Sequence, residues 1–152
     1  MVENFPFRSF VKQDNHNRQE GVMKQTILKC AICGAVAEII VECQCYDGFV
    51  CCGQSMQEEK PQTADQTKEK HVPVGEVFSK WETKVKVGMI PHPMTEEHHI
   101  LWIEMIDGNM TARKYLNAGE QPEAVFPMPF KPGVILREYC NVHGLWEYEH
   151  KE

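Results

Sequence analysis

Seven cysteines and seven histidines are the residues of this chain best able to do chemistry, and their spacing is uneven. Six cysteines lie between Cys30 and Cys52, and the seventh, Cys140, is near the C-terminus. Cys30-Ala31-Ile32-Cys33-Gly34 presents two thiolates across a tight turn, half of a tetrahedral metal site. The other half must come from Cys43, Cys45, Cys51 or Cys52. Adjacent residues such as Cys51 and Cys52 tend to point apart. They can share a metal only with a strained backbone or a distorted tetrahedron, which a redox-active iron tolerates and a structural zinc has little use for. Spacing alone leaves zinc and iron both open; buried free thiols acting as small hydrophobes are the blander reading. The first twenty residues lack the continuous apolar segment of a secretory signal. Clustered cysteines in a reducing compartment bind metal more often than they form disulfides.

His16 and His150 lie in polar terminal stretches and read as solvated. The other five are His71, His92, His98, His99 and His143. Most of these, taken singly, suit a hydrogen-bonded structural role. Cys140-x-x-His143 differs, because a thiolate and an imidazole at that spacing can reach one metal across a turn. One thiolate with several imidazoles suits iron, copper or zinc. If His98 and His99 both lie in a strand they point to opposite faces, so only one can join a given site; periodicity favours His98 weakly.

The elements that must position these groups read as strands. Lys84-Val85-Lys86-Val87 alternates polar and apolar, as a half-buried strand does. His99–Ile103 is apolar on both faces and is followed by the turn signal Asp107-Gly108-Asn109. Val36–Val41, Thr111–Leu116 and Val134–Tyr139 are further candidates, and no convincing helix or internal repeat is present. Short strands at this spacing suggest a compact sandwich. Residues 1–22 form a polar extension relieved by Phe5, Phe7 and Phe10, residues 23–58 carry the cysteine cluster, 59–70 read as a solvated linker, and 71–152 form the rest. The formal charge of −6 argues against a nucleic-acid partner. No apolar run is long enough to cross a bilayer as a helix. The expected location is cytoplasmic.

In two regions the motifs resemble known ones. CxxCG followed by a β-like stretch and CCGQ resembles desulforedoxin, whose iron is held by four cysteines including an adjacent pair; on that match the ligands are Cys30, Cys33, Cys51 and Cys52, leaving Cys43 and Cys45 as free thiols. The segment between the pairs is longer than that family's. EKHVP, PHPM, a histidine shortly before an apolar strand, and YCNVHG follow in the order found in superoxide reductases. Together the chain resembles the two-iron superoxide reductases of the desulfoferrodoxin type. The resemblance implies an all-β protein, with a small desulforedoxin-like metal domain followed by an immunoglobulin-like β-sandwich. It also implies two non-haem iron ions, the second held by the imidazoles of His71, His92, His98 and His143 in a square with the Cys140 thiolate on its axis. His98 is preferred to His99 because it keeps the family spacing from His92.

That family reduces superoxide to hydrogen peroxide at a ferrous ion with an open sixth position. The resemblance assigns Lys70 to attracting superoxide and helping deliver protons, and Glu69 to the open position of the oxidised resting state. It further implies electrons from rubredoxin or a similar donor, and a homodimer joined partly through the N-terminal domain. Composition alone would read Glu69 and Lys70 as the charged end of a linker. Three rival functions remain at this level: a carrier whose irons only shuttle electrons, a non-catalytic zinc-binding module, and superoxide dismutation, which would evolve oxygen and require no external reductant.

Overall fold

The computed structural model describes residues 25–41, 48–63 and 70–151, which carry twelve strands and no helix. Five short strands come first: β1 (Thr26–Lys29), β2 (Val36–Ile39), β3 (Val50–Cys51), β4 (Gln54–Ser55) and β5 (Gln57–Glu58). Seven longer ones follow: β6 (Pro73–Ser79), β7 (Glu82–Val87), β8 (Ile100–Asp107), β9 (Met110–Tyr115), β10 (Glu123–Phe126), β11 (Ile135–Cys140) and β12 (Gly144–Glu149). No disulfide links the described cysteines, and no helix is long and apolar enough to cross a membrane.

The later strands form two antiparallel sheets, ordered β10-β7-β6 and β12-β11-β8-β9. Alternation explains how they pack. On β7, Thr83, Val85 and Val87 point inward while Lys84 and Lys86 meet Glu123 and Glu76 outside. The buried Thr83 hydroxyl is satisfied by donating to the Met128 carbonyl, 2.7 Å away. Val85 and Val87 meet Ala124 and Phe126 of β10, Ile103 and Met105 of β8, and Leu136 and Cys140 of β11 in one core.

Strands β8 and β11 are buried along almost their whole length, because the four-stranded sheet is covered on both faces. On its outer face Ile27 of β1 packs with Trp102, Tyr139 and Leu145. The same face buries charge. Glu104 accepts from Arg137 Nε at 2.7 Å and from Arg113 Nε at 2.8 Å. Arg113 also holds both oxygens of Glu38 on β2, at 2.9 and 2.6 Å, a bidentate pair. Arg137 Nη1 donates to the Gln25 carbonyl at 3.0 Å. The small sheet β2-β1-β5 is thereby fastened to the sandwich by apolar contact and by an enclosed ionic cluster.

The pairing of β8 with β11 slips between Tyr139 and Cys140, where Leu101 becomes the extra residue of a bulge. Ile100 therefore joins Ile103 and Met105 in the core, while Leu101 turns to the outer face. Strict alternation from Leu101 to Ile103 does not hold. His98 and His99 precede the strand altogether, with His98 in a bend. A strand argument cannot choose between them.

Candidate metal centres

The first centre is made by two tight turns. β1 ends at Cys30, whose carbonyl accepts the Gly34 N–H at 3.0 Å, so the chain reverses and brings Cys33 back beside it. β3 and β4 form a hairpin whose turn is Cys52-Gly53, with φ of 52° and 75°. Two consecutive positive φ values are what a two-residue hairpin of this twist needs. Cys52 is the one non-glycine among the described residues to adopt such a φ. Here lies the backbone strain that lets neighbouring cysteines serve one site. The sulfurs of Cys33 and Cys51 are 3.6 Å apart, and those of Cys51 and Cys52 are 3.9 Å apart. Four thiolates about 2.3 Å from a tetrahedral ion lie about 3.8 Å from one another. All four sulfurs fall within 4.8 Å of each other, so the donor set fits the metal.

The sulfurs are not equivalent in acidity. Main-chain N–H groups of Cys33 and Ile32 aimed at Cys30 pull its thiol down to about 6. Hydrogen bonding with the Cys33 thiol, followed by that with Cys30, pushes Cys51 up to about 12. A metal entering here meets an ionised Cys30 first and displaces protons from Cys51 and Cys52, whose thiols are raised.

The second centre gathers donors from four separate segments. His71 lies just before β6, and Trp146 of β12 stacks on its ring at 4.7 Å. His92 sits between Pro91 and Pro93; its Nδ1–H donates to the Pro93 carbonyl at 2.6 Å, which fixes the tautomer and leaves Nε2 as an acceptor. That Nε2 is buried and has no hydrogen-bond partner among the described residues. Burial holds the His92 ring down to about 4, so it remains neutral. His98 comes from the bend before β8, and Cys140 and His143 from the turn joining β11 to β12.

His143 Nδ1 lies 2.9 Å from His71 Nε2, 3.1 Å from His98 Nε2 and 3.5 Å from Cys140 Sγ. One ring nitrogen cannot satisfy three such neighbours by hydrogen bonding, since it carries at most one proton. Two nitrogens each about 2.1 Å from one ion and at right angles are about 3.0 Å apart. The five donor atoms lie within 4.8 Å of one another. An unpartnered buried nitrogen, two nitrogen pairs at ligand spacing and a thiol fit a single ion of borderline softness. Burial raises the Cys140 thiol, and the N–H groups of His143 and Val142 pointing at its sulfur oppose that rise.

Gly88 allows two of the segments to meet. Its φ is +78°, and a Cβ there would collide with the main-chain carbonyls of Lys70 and Ile90. Its N–H donates to Val72 at 3.1 Å. The residues flanking His71 and His92 are thus pressed together over a glycine.

The sequence-derived ligand sets assemble as two groups. Lys70 adjoins His71, and its charge is among those that depress His98, after burial and the charges of His143, His71 and His99. His99 turns away and donates from Nδ1 to the Thr95 carbonyl at 2.9 Å. His150, expected in solvent, stacks on Phe130 at 4.1 Å. Glu69, Cys43, Cys45, His16 and residues 1–22 lie outside the described residues.

Sequence reasoning missed Glu138. It is fully buried on β11, neither carboxylate oxygen has a hydrogen-bond partner among the described residues, and burial raises its pKa well above the usual carboxylate range. A signal was available. In Leu136-Arg137-Glu138-Tyr139-Cys140 two charges are consecutive, so alternation must send one to each face of a sheet flanked by apolar residues.

The family model described as desulfoferrodoxin matches residues 63–149, the stretch that holds all five donors of the second centre. A desulfoferrodoxin homolog from Methanothermobacter thermautotrophicus is 45% identical over 120 residues, covering 79% of this chain and 94% of its own. A desulfoferrodoxin from Syntrophotalea carbinolica is 43% identical over 129 residues, covering 83% and 97%. Among solved structures, the superoxide reductase from Treponema pallidum superposes with a TM-score of 0.65 at 26% identity, covering 84% of this chain and 99% of that one.

Proposed function

The chain belongs to the desulfoferrodoxin family, and from that premise we propose that it is a superoxide reductase. It reduces superoxide by one electron to hydrogen peroxide at the second centre, with the two protons coming from solvent through neighbouring groups. The observation that carries this reading is the convergence of His71, His92, His98, His143 and Cys140, distant in sequence, on one point.

His71, His92, His98, His143 and Cys140 would hold the catalytic iron, and Cys30, Cys33, Cys51 and Cys52 a second iron that relays electrons. Ferrous iron held by these five donors would supply the single electron to a small anion arriving at this place. The side chains prepare that place. His71 and His92 are buried and rigidly backed, while His98 and His143 lie towards solvent, where an anion can arrive. Cys140 is enclosed in the sandwich core, so its sulfur is shielded from water while donating electron density. Lys70 supplies a local positive charge on a chain of net charge −6, and draws superoxide in against the overall field. It would also pass protons to the peroxide product, and Glu69, its neighbour in sequence, would be the group that takes the anion's place in the oxidised protein.

Electrons come from rubredoxin or a similar one-electron donor. The protein works in the reducing cytoplasm, where its thiolate donors stay reduced, and as a homodimer. Exposed Ile32, Ile40, Val41, Phe49 and Val50 around the first centre support pairing through that region. We place the domains at 23–58 and 71–152, joined by 59–70 and preceded by the 1–22 extension.

The test is metal analysis with visible spectroscopy, alongside superoxide consumption with and without a reductant. Expected are two irons per chain, and reductant-dependent loss of superoxide yielding peroxide without oxygen. Colourless zinc protein, or oxygen evolution with no need of a reductant, would defeat the reading.

A further inference from the structure

Residues 59–62 open the segment whose composition reads as a solvated linker, yet Glu59 donates its N–H to the Ile27 carbonyl of β1 at 2.8 Å and Gln62 lies against β12. Gln62 forms a parallel bridge with Trp146. Its N–H donates to the Leu145 carbonyl at 3.0 Å, and its own carbonyl accepts the Glu147 N–H at 2.9 Å. These main-chain bonds fix where the side chain can reach, and its Nε2 donates to the His143 carbonyl at 2.8 Å. Glu59 approaches the same turn from the other end. One of its oxygens accepts the Tyr139 hydroxyl at 2.7 Å, while the other occupies the space beside Gly144 that a Cβ would need. Lys29, next to Cys30, pairs with that carboxylate at 3.8 Å. The turn carrying Cys140 and His143 is therefore gripped from outside by two side chains that do not belong to the ligand-bearing strands.

We propose that Gln62 is a positioning residue for the His143 ligand, and that Gln62 and Glu59 brace the catalytic centre, so the start of the segment is more than a tether; this rests on the iron reading above. His143 faces the other donors through Nδ1, the ring nitrogen nearer its own main chain. A shift of the His143 peptide then moves the donor almost equally, with no long side chain to absorb it. Although Cys140 and Gly144 at its ends are buried, Val142 and His143 are at the solvent edge, outside the sandwich core. A donor on the outward carbonyl supplies what packing does not. Partners behind a ligand commonly alter metal retention by about 10–100-fold when lost. Because the brace directly follows β5, the strand order that builds the first centre also delivers Gln62 to the second.

The experiment uses the full-length iron-loaded protein. Gln62→Glu keeps the side chain's length and main-chain bonds but turns an acceptor toward the carbonyl; Gln62→Ala removes the donor outright. Lys60→Ala, whose ammonium makes an exposed ion pair with Glu58 at 3.0 Å, is the control from the same segment. Iron loss to excess EDTA is followed at the visible band of each centre, together with the midpoint potential of the second. Expected is roughly tenfold faster loss from the histidine–cysteine centre in both Gln62 variants, with a shifted potential. The four-cysteine centre, the melting temperature and Lys60→Ala should match the wild type. Wild-type retention and potential in Gln62→Glu would overturn the proposal. So would equal loss from both centres with a lowered melting temperature, which would make Gln62 merely structural. Wild-type protein that takes up no iron at the second centre would overturn the functional reading instead.

Discussion

Asn141 holds the peptides on both sides of His98. Its side-chain oxygen accepts the His99 N–H at 3.0 Å, its amide donates to the Glu97 carbonyl at 3.0 Å, and its own N–H reaches the His99 carbonyl at 3.1 Å. A residue in the turn that supplies Cys140 and His143 thus also fixes the loop that supplies His98. Three of the five donors are tied to one another through protein before any metal arrives.

Asn141→Ala removes two of those bonds. The expected cost is about 1–3 kcal/mol of stability, with iron held less tightly at the second centre and unchanged at the first. Asn141→Asp keeps the acceptor toward His99 but sets a carboxylate oxygen against the Glu97 carbonyl, so it too should hold iron less tightly than wild type at the second centre. Metal titration of each centre with thermal melting checks both variants. Equal iron affinity in all three proteins would show that His98 needs no such support.

Lys70→Ala should slow superoxide consumption about tenfold at low ionic strength, by removing local attraction, and leave both visible spectra intact. Added salt should narrow the gap, because screening already weakens the wild-type lysine. Stopped-flow rates across a salt series decide it. An unchanged rate with intact iron would remove Lys70 from the mechanism.

Glu138 gives a pH signature. Its pKa in the folded protein is raised by burial, so the folded state holds the proton that the unfolded chain releases at about 4.3. The folded state is then favoured fully below that value, and stability declines as pH rises from there toward the folded pKa. Glu138→Gln cannot ionise, and the difference in stability between wild type and variant should shift in the variant's favour as pH rises from about 4 to 7. Denaturant titrations of the two proteins at matched pH values read this directly. A difference independent of pH would mean that the carboxyl is not held protonated in the fold.

Some of this was legible in the chain and some was not, for physical reasons. Cys30 and Cys33 announce half of a site because thiolates at such spacing have few other uses, but Cys51 and Cys52 are singled out from Cys43 and Cys45 only by the resemblance. Val85 and Val87 declare a core face because a strand alternates. The choice between His98 and His99 could not come from alternation, since both precede β8 and a bulge resets the strand's register at Leu101. The family spacing made that choice instead. Gln62 and Asn141 carry no local signature, and the adjacent charges of Arg137 and Glu138 say that one of them is enclosed without saying by what. Each is defined by what packs against it from tens of residues away, information that exists only once the sheets are closed.

The two centres also differ in the loop each must close. The cysteine site spans Cys30 to Cys52 and is built by a turn and a hairpin, whereas the other draws on His71 and His143, which come from the two ends of the sandwich's stretch of sequence. Short-range contacts form early and distant ones late. A nascent or partly unfolded chain can therefore already grip an ion at its cysteines while the chemistry-bearing iron has nowhere to sit. Capture of that second ion reports the end of folding, and a chain that has lost it may still show the colour of the first.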